Sequence, residues 1–153
     1  MTGSHEDFMD RCLAESRLAM ARGDSPIAAM VVRDGAVLGL GQNVARSTGD
    51  PTAHAEVQAI RAACNHLGAL DLTGATLYSP LEPCPMCCGA MVAARVSRLV
   101  LGARNAAIGR RVYGGYTVEG LLATLGSGIE IVQGVRAQEC EELRRGWEAA
   151  QAR

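Results

Sequence analysis

With 153 residues, 48% of them hydrophobic and 20% charged, the chain is long enough for one domain with a sizeable core and too apolar to be intrinsically disordered. A net charge of −1, from 15 basic and 16 acidic residues, disfavours a partner that must be neutralised at many phosphates, such as a nucleic acid. No apolar run approaches the roughly 18 residues of a membrane span, and the opening MTGSHEDF lacks the basic and apolar segments of a secretion signal. A cytoplasmic protein with no membrane partner is therefore expected, its six cysteines serving as thiols or metal ligands before disulfides.

Ser4 and Asp7 make a capping-box pattern that opens a helix to about Ala21, with Phe8, Cys12 and Ala19 near one face and Gly23 as its stop. PIAAMVV is a strand of the buried type, and Asp34-Gly35 is a hairpin turn into the strand AVLGLGQN. A second helix is predicted from about Ala53 to Leu67, with Val57, Ile60 and Cys64 at helical spacing and Gly68 at its end. ATLYS is a third strand, followed by a helix from Cys84-Pro85 to about Arg95, since proline is welcome in a first turn. RLVLG, TVEGLLATL, IEIVQG and the segment from Arg136 to about Ala150 read as strand, helix, strand and helix. The loop from Arg104 to Tyr116 has no regular pattern. With no repeat or linker, the expectation is a single α/β domain over residues 1–153 around a mixed five-stranded sheet.

Two stretches carry chemistry. DPTAHAEVQAI places His54 and Glu56 at a helix start, and LEPCPMCCGAM places Cys84 and Cys87 on the first turn of another. Thiols at i and i+3 share a helix face, which suits either a tetrahedral metal or a redox dithiol. A redox motif of the thioredoxin type needs a cis-proline well downstream, yet all five prolines lie at or before this motif. A structural zinc ribbon needs a second C-x-x-C, and Cys12, Cys64 and Cys140 are isolated. A site assembled from both stretches remains: His54, Cys84 and Cys87 as ligands of one Zn²⁺ with a fourth position open, the pattern of a catalytic centre. Two thiolates cancel the charge of the ion and weaken its acidifying effect. Their place at a helix N-terminus and a nearby base offset that loss. Glu56 is that base, taking a proton from the attacking water, passing it to the ring nitrogen and later protonating the departing ammonia. H-x-E followed by P-C-x-x-C is the arrangement of zinc deaminases that act on nucleobases. Cys88, turned about 100° around the helix from Cys87, should face away from the metal.

On GQNVARSTGDPTAHAEVQAIRAAC and TLYSPLEPCPMCCGAM the chain resembles the cytidine deaminase-like superfamily, and most closely the branch of guanine, free cytosine and tRNA adenosine deaminases. The resemblance implies a three-layer α/β/α fold, one Zn²⁺ per chain, a homodimer or larger assembly, and a nucleobase or nucleoside substrate. It also implies that Asn43 hydrogen-bonds the base and that main-chain groups at Ala55 and the Pro83 turn line the pocket. The segment HAEVQAIRAACNHLGA looks most like guanine deaminases, whereas ARVSRLVLGARNAA is similar to tRNA adenosine deaminases. The tail CEELRRGWEAAQAR resembles deaminases of free bases in which a C-terminal helix closes over the ligand, and this gives Trp147 two readings, core anchor or pocket lid. Guanine, then cytosine, is the expected substrate. A tRNA adenosine deaminase and a metal-binding protein without turnover are the alternatives, and only Arg104, Arg110 and Arg111 offer a local basic cluster for the former.

Overall fold

The computed structural model describes residues 3–152, so Met1, Thr2 and Arg153, the outer ends of the expected domain, lie outside it. Helix α1 (His5–Arg22) starts where Ser4 Oγ accepts from the Asp7 N–H at 3.1 Å and Asp7 accepts from the Ser4 N–H at 2.9 Å, the reciprocal cap expected from the sequence. Strands β1 (Ala28–Arg33) and β2 (Ala36–Gln42) form an antiparallel hairpin. Asp34 (φ 52°) and Gly35 (φ 76°) are both left-handed, the geometry that matches a tight turn to the twist of its strands. The short α2 (Ala45–Thr48) and then α3 (Ala55–Leu67) follow. Next come β3 (Thr76–Leu81), α4 (Pro85–Ala93), β4 (Arg98–Ala103), α5 (Val118–Thr124), β5 (Glu130–Val132) and α6 (Ala137–Gln151).

The sheet order is β2-β1-β3-β4-β5, with β1 antiparallel to both neighbours and β3, β4 and β5 mutually parallel. Alternate residues of the central strands serve opposite faces. Ala29, Val31, Leu77, Leu99 and Leu101 pack with α3, α4 and α5, whereas Met30, Val32, Tyr78 and Val100 pack with α1 and α6. The expected three-layer α/β/α arrangement around a mixed sheet is what these two clusters describe. No helix among the described residues is long and apolar enough to cross a membrane.

Three departures from the sequence reading bear on function. Helix α3 begins two residues later than expected, because Asp50 Oδ1 accepts from both the N–H and the hydroxyl of Thr52 (2.8 and 2.7 Å) and locks residues 50–53 into a turn. Helix α2 was not expected. It has no apolar periodicity and is held from outside, by the Ser47 N–H donating to Asp24 Oδ1 at 2.9 Å. The buried stripe of α3 is Ala55, Ala59, Ile60 and Ala63, while Val57 and Cys64 are only half-buried. The cause lies in β2, where Gly39 and Gly41 share the face turned to α3. A Cβ on Gly39 would overlap the Ala59 carbonyl, and one on Gly41 would overlap the Ala59 nitrogen and the Ala55 carbonyl. Strand and helix backbones touch here, so only small residues fit between them.

Gly41→Ala should therefore destabilise the protein by about 1–3 kcal/mol through forced repacking. Gly146→Ala, at an exposed position in α6 with nothing near a new Cβ, should be neutral or stabilise by up to about 1 kcal/mol. Urea unfolding midpoints of the two variants check this, and a Gly41→Ala protein as stable as the parent would show that the close approach is not constrained.

Candidate active site at two helix N-termini

His54 and Cys84 are the N-cap residues of α3 and α4, each with extended backbone (φ −74°, ψ 152° and φ −67°, ψ 169°). His54 makes no side-chain cap, which frees its imidazole. Cys84 Sγ accepts from the Cys87 N–H at 3.4 Å, with Pro85 in the first turn where its missing N–H costs nothing. His54 Nδ1 stands 3.4 Å from Cys84 Sγ and 3.5 Å from Cys87 Sγ, and the three donor atoms lie within 4.8 Å of one another. Zinc bonds of ordinary length at tetrahedral angles would set nitrogen and sulfur about 3.6 Å apart. The donor set thus fits Zn²⁺ in both chemistry and spacing. Cys88 is fully buried with Met91 in the core, as expected for a thiol turned from the metal.

The metal-free trio shares protons unequally. The hydrogen bond from Cys87, joined by those of His54 and the Cys87 N–H, holds the Cys84 thiol down at about 4 against the effect of burial. Cys87 is pushed up by the neighbouring Cys84 thiolate and by burial. The bond to Cys84 also raises His54.

Glu56, two residues beyond His54 in the first turn of α3, is 3% exposed and stands outside the ligand trio. Its Oε1 accepts from Ser79 Oγ at 2.9 Å, and its Oε2 lies 3.4 Å from Cys87 Sγ. Burial raises its pKa, against the hydrogen bonds of its own N–H and Ser79. Ser79 has one proton and two acceptors in reach, Glu56 Oε1 and the Leu81 carbonyl, both at 2.9 Å. It can donate to a Glu56 carboxylate, or accept from the acid while donating to Leu81.

A cavity of about 230 Å³ runs from His54, Glu56 and Cys84 to Asn43 and to Tyr113, Arg144 and Trp147. Asn43 Oδ1 accepts from the Ala45 N–H at 3.1 Å, so the oxygen is spent on the backbone and the amide NH₂ is the half left to recognise a ligand. Arg22 fixes the same turn, donating to the Asn43 carbonyl at 3.0 Å while paired with buried Asp24 at 2.7 Å. Burial opposes ionisation of Asp24, but the bonds from Ser47 and Arg22 outweigh it and hold the carboxyl below its ordinary value. Ala55 is buried at the first position of α3, away from the cavity lining, and only its N–H, one of the orphan donors of a helix start, could serve a ligand. The Pro83 carbonyl is taken by the Tyr116 hydroxyl at 2.6 Å, and Leu81 and Glu82 line the cavity in its place. Trp147 is buried in the wall beneath the Arg46 guanidinium, 5.0 Å from its ring centroid.

Ser79, Glu82 and Arg144 escaped the sequence reading. Glu82 is buried, accepting from the N–H groups of Asn105 (3.1 Å) and Val118 (3.0 Å), so it ties the loop after β4 and the start of α5 to the metal turn. Its signal was an acid wedged between an apolar strand and the C-P-M-C turn. Of the basic cluster, Arg104 is bound to Glu82, Glu119 and Gln133, Arg110 lines the cavity, and Arg111 stands outside it, next to Arg110 on a second concavity that Arg145 also lines. His5 Nδ1 stands 2.9 Å from the Tyr78 hydroxyl, and neither residue lines the cavity.

Residues 2–103 match the family model described as the cytidine and deoxycytidylate deaminase zinc-binding region. The chain is 40% identical over 151 residues to a tRNA(Ile)-lysidine synthase of Deinococcus deserti, covering 95% of this chain but 28% of that protein. It is 47% identical over 98 residues to a tRNA-specific adenosine deaminase of Agrobacterium fabrum (64% of each chain) and 43% identical over 103 residues to guanine deaminase of Bacillus subtilis (67% of this chain, 66% of that one). The matches thus span less than two thirds of these relatives. The solved structure of guanine deaminase from Nitrosomonas europaea superposes with a TM-score of 0.84 at 28% identity, over 97% of this chain and 86% of that one. With the zinc-ligand geometry in hand, the chain belongs to the cytidine and deoxycytidylate deaminase zinc-binding family.

Proposed function

We propose that the chain is one zinc-dependent deaminase domain that hydrolytically removes the exocyclic amino group of a free nucleobase or nucleoside, guanine first and cytosine next. The observation carrying this reading is the wall that α6 builds: Trp147 and Arg144 share one small cavity with His54, Glu56 and Cys84. A volume of about 230 Å³ closed by an aromatic ring suits a single flat heterocycle better than a tRNA loop. The tRNA reading keeps the support of the Agrobacterium and Deinococcus relatives and is the alternative to be tested. A homodimer belongs to the same proposal, on resemblance alone.

Zinc held by His54, Cys84 and Cys87 supplies Lewis acidity that makes water a usable nucleophile near neutral pH. Glu56 takes one proton of the attacking water and delivers it to the ring nitrogen next to the amino-bearing carbon. It then takes the second from the new C–OH and gives it to the amino group, which leaves as ammonia as the carbonyl forms. Ser79 holds the carboxyl through both of its protonation states. Asn43 offers its NH₂ to an oxo group or ring nitrogen of the base, and Trp147 covers the base and excludes water.

The purified protein should hold about one zinc per chain, lost in Cys84→Ala and Cys87→Ala and kept in Cys88→Ala, as atomic absorption would read. The Cys84 thiolate and burial push the Cys87 thiol up, so binding of zinc by its thiolate is expected to displace a proton. Affinity in chelator competition should then fall as pH falls, by about tenfold per unit for each proton released. A flat profile would mean that the thiols are already ionised.

Glu56→Gln should keep zinc and lose about 10²–10⁴ in kcat. Near-normal turnover would remove Glu56 as the proton carrier. Trp147→Ala should raise KM for the free base about tenfold or more with zinc content unchanged, given the worth of base–aromatic stacking. Ammonia release should be compared for guanine, cytosine, adenine, their nucleosides and a tRNA anticodon stem-loop. Turnover of the stem-loop alone, with KM unaffected by loss of Trp147, would replace the free-base reading by the tRNA one.

A further inference from the structure

Three guanidinium groups, those of Arg46, Arg110 and Arg144, line the same cavity as Glu56. Arg110 and Arg144 share one carboxylate, and Arg46 has none. Glu148 Oε1 accepts from Arg144 Nε at 2.9 Å, lies 2.8 Å from its Nη2, and stands 3.6 Å from Arg110 Nε. The other acids of the cavity are engaged elsewhere: Glu56 sits on the metal side against Ser79 and Cys87, Glu82 is occupied by Asn105, Val118 and Arg104, and two thiolates would balance a bound zinc ion. The α6 side of the cavity therefore carries three positive charges against one negative.

This surplus is not solvated away. Arg144 is 8% exposed, and burial together with the nearby Arg110 opposes its charge. The guanidinium of Arg110 lies over the Tyr113 ring at 5.6 Å and that of Arg46 over Trp147 at 5.0 Å. Stacking fixes the guanidinium planes without using their N–H groups. Arg110 spends Nη1 on Asn105 Oδ1 (3.3 Å), Arg46 spends Nη1 on Gln151 (2.7 Å) and Arg144 spends Nη1 on Ser25 (2.7 Å). Several N–H donors therefore remain without a partner among the described residues. A neutral base would leave two like charges held together at the buried wall, whereas an anion relieves their repulsion and takes charge-assisted hydrogen bonds.

We propose that the amino-heterocycle deaminated here is bound as an anion, its negative charge taken by Arg110 and Arg144. The proposal rests on the deaminase reading and sets an anionic relative of guanine or cytosine ahead of the neutral bases themselves. The charge comes either from a ring N–H acidified by neighbouring oxo groups or from a carboxylate or phosphate substituent.

Ammonia release by the zinc-loaded protein is measured for matched pairs: ammelide against ammeline for ring ionisation, cytosine-5-carboxylate against cytosine for a carboxylate, and guanosine 5′-monophosphate against guanosine for a phosphate. In at least one pair the anion should show kcat/KM about tenfold or more above its neutral partner. That advantage should shrink as salt rises from about 50 to about 300 mM, as screening requires. Arg110→Met, on a loop where misfolding is not at issue, should bring the ratio in that pair down about tenfold with zinc retained, and Arg144→Met should do the same. Glu148→Gln, which removes the one opposing charge, should raise the ratio. Neutral partners turned over as fast or faster in all three pairs, independently of salt and of Arg110, would overturn the anionic substrate and leave the deaminase reading standing. Release of ammonia from none of the six compounds, with deamination of a tRNA stem-loop only, would overturn both.

Discussion

Two helix starts facing each other form the constraint on which the site depends. The N-termini of α3 and α4 each carry partial positive charge and unpaired N–H groups, and here they converge until His54 Nδ1 and Cys84 Sγ are 3.4 Å apart. Left alone, two such ends repel. Negative charge placed between them, from thiolates and from Glu56, turns the repulsion into a preference for anionic sulfur. The low pKa of Cys84, about 4, reflects this neighbourhood, with the hydrogen bond from Cys87 foremost. The convergence is enforced from outside. Gly39 and Gly41 let β2 lie directly on the α3 backbone, and the parallel β3-α4-β4 crossover sets α4. His54 and Cys84 occupy cap positions, where the backbone has left the strand or turn but has not yet entered the helix, and Cys87 stands in the first turn of α4, so their directions follow from the fold.

The support behind Asn43 follows the same logic at higher electrostatic cost. Arg22 and Asp24 form a pair in which the carboxylate is wholly buried, and Asp24 also caps Ser47 while Arg22 holds the Gln42 side chain and the Asn43 carbonyl. A buried ion pair adds little net stability. Here its return is directional: the end of α1, the end of β2 and the short α2 are pinned at one point, and the amide of Asn43 is turned so that its oxygen caps Ala45. Asn43 is thus positioned from the opposite face of the sheet.

Local chemistry was legible in the sequence, and long-range chemistry was not. Ser4 and Asp7, Asp34-Gly35 and Cys84-Pro85 announce their elements because each acts within four residues. The H-x-E and C-x-x-C stretches could be joined because a tetrahedral metal demands a common site. Gly39 and Gly41 read as ordinary strand residues, although glycine on every second position marks a face with no room for side chains. Ser79 and Arg144 gave no signal beyond their type, and Glu82 only its place between an apolar strand and the C-P-M-C turn, because what matters about them is a partner 23 to 119 residues away. For the same reason the cluster Arg104, Arg110 and Arg111 gave no hint that Arg104 is tied to Glu82 and Glu119 while Arg110 reaches the cavity.

The catalytic and selecting parts of the cavity come from different stretches of chain. The family match ends at residue 103, so it contains His54, Glu56, Cys84, Cys87 and Asn43, while Arg110, Tyr113, Arg144 and Trp147 all lie beyond it. Helix α6 reaches the cavity only because β4 lets it come close: a Cβ at Gly102 would overlap Cys140 Sγ. The two parts are also joined by Glu82, whose carboxylate receives N–H groups from Asn105 and Val118 one residue before Pro83 and two before a zinc ligand. Loop and α6 can therefore change their side chains, and with them the charge presented to a substrate, without disturbing the helix starts that hold the metal. Relatives named guanine deaminase and tRNA-specific adenosine deaminase match the chain about equally well, 43% identical over 103 residues and 47% over 98, so identity alone does not choose between their substrates.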